Sequence, residues 1–392
     1  ELEQERIDAA VAMLMSAKKP GLFVGWGAKD VTADLVRIAE HLGAPVATTL
    51  QGLGVFPGDH PLHAGFTFGP SAVPASQNAF ADCDVMLAIG TRFAEICTGS
   101  YGAVPPGKLI HIDINRDTIG KNYETAIGIC ADAHDAVPAL ADALVAAGDK
   151  RDSSAIAAGI AGDKAAYRKA WLDHDSGDRV NPVRFFDALR KQLDDDAIVI
   201  ADDGNHTFLT AELMPINKGG MFLSPTDYNC MGYCVPATIA VRMALPERQV
   251  VGIVGDGAFL MTGLEAVNAA ANDIGAIWCV FNDGELAQIA QAQEMPYQRT
   301  ACTDLGELKH EAFAAATGTE YVEIRNDDDI DDGIARALRF SAANRPVLVN
   351  VLIDYSKKTQ FTVGTVQTNL KRFDTRNKVR IVGRALKRKF FG

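Results

Sequence analysis

Short, nearly unbroken apolar runs recur along the chain, and between them apolar residues repeat at helical spacing. Gly21–Trp26, Pro45–Thr49, Val85–Gly90 and Leu109–Ile114 read as buried strands. A helix near Gln4–Ala17 would put Ile7, Ala10, Val11 and Leu14 on one face, and a helix over Thr32–Leu42 would end at Gly43 as its C-terminal cap. A third helix starts from Asp135 as N-cap and runs to Ala147. Apolar strands alternating with helices predict a parallel sheet covered on both faces, so residues 1–148 read as one α/β unit. Residues 149–182 lose the rhythm: Lys150–Ser154 is polar, a helical piece spans Lys164–Leu172, and Asp173–Asn181 is polar again. This stretch reads as an interdomain linker.

The rhythm returns over 183–360. A helix is predicted for Pro182–Leu193, with strands at Ala197–Ala201, Gln249–Val254, Ala276–Phe281 and Pro346–Ile353, the last preceded by a helix at Ile330–Ala343. The expected fold class is therefore α/β, with two doubly wound parallel-sheet domains joined by a linker. Residues 361–392 form a basic C-terminal tail with Lys371, Arg372, Lys387, Arg388 and Lys389. It is either a solvated end or a flap packed near an anionic cofactor.

The chain has 392 residues, 48% of them hydrophobic, and a net charge of −12. That charge argues against broad nucleic-acid binding. No apolar run approaches the roughly 18 residues of a membrane span. The seven cysteines lack a zinc-like spacing; Cys230 and Cys234 have no matching pair or histidine. They read as reduced thiols of a cytoplasmic protein. The first residue is Glu1, so the expectation is a fragment or a processed chain.

The chemistry concentrates at two strand ends. Gln249–Val254 runs into Gly255-Asp256-Gly257-Ala258-Phe259, a helix is expected at Thr262–Asn272, and Ala276–Phe281 then delivers Asn282-Asp283-Gly284-Glu285. A β-α-β unit makes these strands parallel, with their carboxyl ends on one edge. Two carboxylates there suit a hard divalent cation such as Mg²⁺, often shared with a phosphate. The glycines would let backbone N–H groups approach that phosphate. The implied ligand is a diphosphate held through a metal; the alternative is two ordinary turns.

This pattern resembles the cofactor motif of thiamine diphosphate enzymes. Leu42–Thr49, Gly58–Leu62, Ile89–Phe93, His111–Asn115 and Ile119–Asn122 resemble the central domain of acetolactate synthase-like members, and Met231–Ala237 resembles their Met-Gly-Tyr-Gly-Leu-Pro-Ala segment. The resemblance covers most of residues 1–360. It implies Asp256, Asp283 and the carbonyl of Glu285 as Mg²⁺ ligands. It implies thiamine diphosphate contacts from Gly204, Asn205, His206, Asn229, Met231, Gly255, Gly257 and Ala258. His206 is otherwise an exposed loop histidine, and Met231 a core methionine. The activity implied is decarboxylation or carboligation of 2-oxo acids, with a related lyase, a decarboxylase or a catalytically silent cofactor-binding subunit as alternatives. The family's catalytic glutamate belongs to an amino-terminal pyrimidine-binding domain, expected outside this chain. The implied partners are that domain or subunit and further copies in a homo- or hetero-oligomer.

Two departures qualify the match. Ala292 falls where acetolactate synthases carry a pocket-lining Trp, which implies a roomier acceptor pocket. Gln288, Gln291 and Gln293 are either pocket residues or a solvated face. The flavin segment of the family reads here as Arg92-Phe93-Ala94-Glu95-Ile96, without its second Arg, and Gly25-Trp26-Gly27 faces either a dinucleotide or the core. FAD stays open on these residues.

Overall fold

The computed structural model describes residues 3–380 and residue 383. It divides into two compact units. The first runs through Lys169 and also takes in Pro215–Phe222; the second holds Ala170–Met214 and the chain from Leu223 on.

The first unit is built on strands β1 (Pro20–Val24), β2 (Val46–Thr48), β3 (His63–Phe66), β4 (Val85–Ile89), β5 (Leu109–Asp113) and β6 (Ile127–Cys130). They pair in the order β3-β2-β1-β4-β5-β6, parallel throughout. Side chains alternate between the faces of a strand. Leu22 and Val24 enter one core with Leu35, Ile38 and Leu140, while Phe23 enters the other with Phe68, Met86 and Ala88. Both faces are thus covered, which is why these strands read as unbroken apolar runs. The helix Thr32–Leu42 forms as expected, and Gly43 ends it at φ 58°, a left-handed conformation that glycine adopts without a side-chain clash.

The second sheet is built from β7 (Ile198–Ala201), β8 (Phe222–Leu223), β9 (Val250–Gly255), β10 (Ile277–Phe281), β11 (Glu320–Ile324) and β12 (Val347–Val351), in the order β11-β12-β10-β9-β7-β8. The ladders joining β7, β9, β10, β12 and β11 are parallel. From β7 the chain goes to β8 on one side, then returns to β9 on the other. The sheet therefore has its topological switch point between β7 and β9, where the strand-end loops diverge and leave a crevice. The expected pair of doubly wound parallel sheets is the observed architecture. Among the described residues no helix is long and apolar enough to cross a membrane, and the seven cysteines are free.

Several local expectations need correction. The third helix is capped by Asp132, whose side chain accepts from His134 N, and begins at Ala133 rather than after Asp135. Trp26 leaves the first strand for a 3-10 turn, Trp26–Ala28. Residues 149–182 are not a plain polar connector. They hold a helix, Ser154–Leu172, whose Ile160 is buried against Phe23 and Phe68. Arg151 donates to the carbonyls of Leu14, Met15 and Ala17, the open end of the first helix.

The helix expected at Thr262–Asn272 starts earlier, at Asp256 itself. It runs Asp256–Thr262, tightens over Gly263–Glu265 and resumes at Ala266–Ala271. The tail begins as a helix, Gln360–Arg372. Phe361 stacks on Phe208 at 4.0 Å between ring centroids, and the Glu212 carboxylate accepts from Gln360 N and Phe361 N. Lys387, Arg388 and Lys389 lie outside the described residues.

Candidate functional site

The register of β9 against β10 pairs Phe281 with Gly255. Asp256 follows one strand and Asn282-Asp283 the other, so both carboxylates leave the same edge of the sheet. Beside them, at the switch point, opens a cavity of about 330 Å³. It is lined by Asp203, Gly204, Asn205 and His206 after β7, by Asn229 and Met231, by Gly255–Ala258 after β9, by Asp283 and Glu285–Ile289 after β10, and by Tyr355. Every residue singled out in the sequence as a cofactor contact or metal ligand therefore borders one cavity.

Each wall is held by backbone economy. Asp202 is fully buried; its carboxylate accepts from Asp203 N, Gly232 N and Cys234 N. It thus ties the loop after β7 to the loop carrying Asn229 and Met231. Asn229 stands at φ 51°, where glycine is the easiest residue and asparagine the best-tolerated substitute. Gly204 and Gly255 pack on the His206 ring: an added Cβ would stand 2.6 Å and 3.2 Å from its Cε1. His206 is buried rather than an exposed loop residue, and burial pushes its pKa down to about 3. The imidazole is neutral at physiological pH, with Nε2 lacking a partner.

Asp256 is 7% exposed; its Oδ1 accepts from Gly257 N and its Oδ2 from Gly284 N, both at 2.8 Å. Asp283 keeps a buried Oδ1 with no partner. Burial, and then the charge of Asp256, push its carboxyl up to about 7. Arg179, from the segment read as linker, donates to the carbonyls of Asn282 and Ile353 and fixes the turn before Asp283. Two carboxylates at one sheet edge, the charge of Asp256 raising the cost of ionising Asp283 and Asp283 keeping an unfilled oxygen, fit a divalent cation. Among the described residues no three His, Cys, Asp or Glu side chains cluster as a metal site. The side-chain part of such a site is this pair alone. The Glu285 carboxylate accepts from Thr303 Oγ1 at 2.7 Å.

Beside Asn205, already singled out in the sequence, the far wall adds Asp203 and Tyr355, which were not. Asp203 has an unpartnered Oδ1, and burial with its neighbour Asp202 raises its carboxyl to about 6. Asn205 is buried with both amide atoms unpartnered, as is Tyr355 Oη. Unpaired buried polar atoms are costly, and their convergence on one cavity fits a polar ligand. Asp203 adjoins a flagged motif, so its signal was present; Tyr355 lay beyond β12 with none. Of the three glutamines, Gln288 lines the cavity, Gln291 is buried and donates to Tyr355 O, and Gln293 pins Ala301. Ala292 is exposed and does not line this cavity. In the first unit, Gly25 and Gly27 are explained by packing. Gly27 N donates to Gly90 O, and a Cβ on Gly25 would stand 2.4 Å from that oxygen. The Gly-x-Gly turn therefore needs no dinucleotide, and nothing else here supports FAD.

Fold and crevice define a doubly wound α/β protein with a polar ligand cavity at the switch point of its second sheet. Residues 7–140 match the family model "Thiamine pyrophosphate enzyme, central domain", and residues 202–351 match "Thiamine pyrophosphate enzyme, C-terminal TPP binding domain". The chain belongs to the thiamine diphosphate enzyme family. It is 31% identical over 358 residues to the acetolactate synthase large subunit of Corynebacterium glutamicum, covering 89% of this chain and 56% of that protein. It is 31% identical over 374 residues to a probable acetolactate synthase large subunit of Methanocaldococcus jannaschii, covering 89% and 60%. A sulfoacetaldehyde acetyltransferase of Rhodobacter capsulatus is 29% identical over 378 residues, covering 90% and 64%. The chain thus spans between half and two thirds of the length of these relatives.

Proposed function

We propose that the cavity binds the diphosphate of thiamine diphosphate through Mg²⁺, in an acetolactate synthase-like enzyme acting on 2-oxo acids. The carrying observation is the buried, unpartnered Asp283 Oδ1 beside Asp256 at the rim of the switch-point cavity. Asp256, Asp283 and the Glu285 carbonyl would hold the cation. Ala258 would bring its backbone N–H to the phosphates, and Gly255 and Gly257, lacking side chains, would let them approach closely. Asn205 would donate through its free amide, and neutral His206 through a ring N–H. Met231, whose Cε would be 3.5 Å from a Cβ on Gly257, would bear on the cofactor's ring side. When bound, the cofactor supplies the electron sink for losing carbon dioxide from a 2-oxo acid. The chain's own residues bind and orient it.

We assign the remaining wall, with the acid–base glutamate, to a pyrimidine-binding domain or subunit, and the working form to an oligomer. A second reading, acetyl transfer as named for the R. capsulatus protein, is favoured by that relative's match over 90% of this chain. Calorimetric titration with thiamine diphosphate and Mg²⁺ tests the binding. No heat with both present would end the reading. Assay of the complete assembly with pyruvate separates the activities: acetolactate supports carboligation, aldehyde release supports a decarboxylase.

A further inference from the structure

Tyr355 follows β12 on a segment held close to the cavity. Gln291 Nε2 donates to its backbone carbonyl at 2.9 Å, and its ring stands 6.5 Å from that of Phe281, the last residue of β10. Its hydroxyl is closed off from solvent and has no hydrogen-bond partner. A buried phenol ordinarily finds one. Burial first, and then the nearby charges of Asp283 and Asp256, hold its hydroxyl well above the usual tyrosine range. Asp256 already has both carboxylate oxygens engaged by Gly257 N and Gly284 N. Asp283 does not: its Oδ1 is likewise buried and unpartnered, and it borders the same cavity. One orphan donor and one orphan acceptor therefore share this corner of the site.

As they stand the two orphan atoms are not bonded to each other; we infer that Tyr355 is a positioning residue for the cation site, its phenol donating, once the cation is bound, to whichever Asp283 oxygen does not face the metal. This rests on the proposed Mg²⁺ and diphosphate reading and deepens it. A carboxylate ligand whose second oxygen is hydrogen-bonded is held in one rotamer, and losing such support typically weakens metal binding about 10- to 100-fold.

The test titrates Mg²⁺ into the full chain in excess thiamine diphosphate, read by calorimetry, for the unaltered protein, Tyr355→Phe, Asp283→Asn and the double variant. The expected result is a Mg²⁺ affinity about 10-fold or more weaker in Tyr355→Phe, with an unchanged melting temperature without ligand. In the Asp283→Asn background the same change at Tyr355 should cost less than about twofold, since the partner charge is gone. A ligand-induced tyrosine difference spectrum should appear in the unaltered chain and vanish in Tyr355→Phe. Equal Mg²⁺ affinity in Tyr355→Phe, or the same loss in both backgrounds, overturns the assignment of Tyr355 while leaving the cofactor reading intact. Absence of Mg²⁺-dependent binding in the unaltered chain overturns both.

Discussion

Phe281 stands directly opposite Gly255 in the parallel ladder between β9 and β10. This pairing sends Asp256 and Asp283 out of one sheet edge, and it makes their removal informative in opposite ways. Both Asp256→Ala and Asp283→Ala should abolish Mg²⁺-dependent binding of thiamine diphosphate in calorimetry. Their effects on the ligand-free protein should differ in sign. Asp256→Ala strands the Gly257 and Gly284 N–H groups, a cost of about 1–3 kcal/mol. Asp283→Ala removes a buried like charge and should raise the melting temperature at pH 8. Retained Mg²⁺-dependent affinity in both variants would exclude them as ligands.

His206 should give the fold an acid-sensitive component. Its folded pKa is about 3 against an ordinary 6.5, so between these values the unfolded chain binds the extra proton. Stability from this group is present above about pH 6.5 and lost as pH falls toward 3, on the order of a few kcal/mol in full. Denaturant unfolding of His206→Gln should show a shallower decline over that window than the unaltered chain. Parallel declines would refute a buried neutral imidazole.

The helix Gln360–Arg372 should depend on one aromatic stack. Phe361 is 4% exposed and lies on Phe208, so Phe361→Ala should cost about 3 kcal/mol and expose the C-terminal segment to proteolysis. A cleavage rate equal to that of the unaltered protein would show that the helix is held otherwise.

Gly54 should tolerate no side chain. It sits at φ +85°, and an added Cβ would approach Lys218 O to 2.2 Å. Gly54→Ala should destabilise the first unit by more than about 1 kcal/mol, read as a lower unfolding midpoint. Its effect should be additive with that of Phe361→Ala, since the two sites share no partners.

Much of the architecture was legible because both faces of each sheet are covered. Val85–Ile89 and Ile277–Phe281 are wholly buried, and a strand buried on both sides must be apolar at every position. The edge strands His63–Phe66 and Glu320–Ile324 escaped notice, since glycine, histidine and glutamates break that pattern. Of the Ser154–Leu172 helix only the part over Lys164–Leu172 was legible, because few side chains of its Ala- and Gly-rich first half face a core. The Asp256 helix started early because Gly255 takes the extended N-cap conformation and leaves Asp256 helical, a choice that local propensity does not dictate.

By itself the sequence determined which strand ends carry chemistry: Gly-Asp-Gly and Asn-Asp-Gly-Glu follow apolar runs, and a short β-α-β connection favours neighbouring parallel strands. Tertiary structure alone decided what surrounds them. The burial that raises Asp283, the neutrality of His206, and the arrival of Arg179 and Tyr355 at one corner depend on contacts between segments far apart in the chain. Desolvation and long-range charge are properties of a packed volume, and no local pattern of residues encodes them.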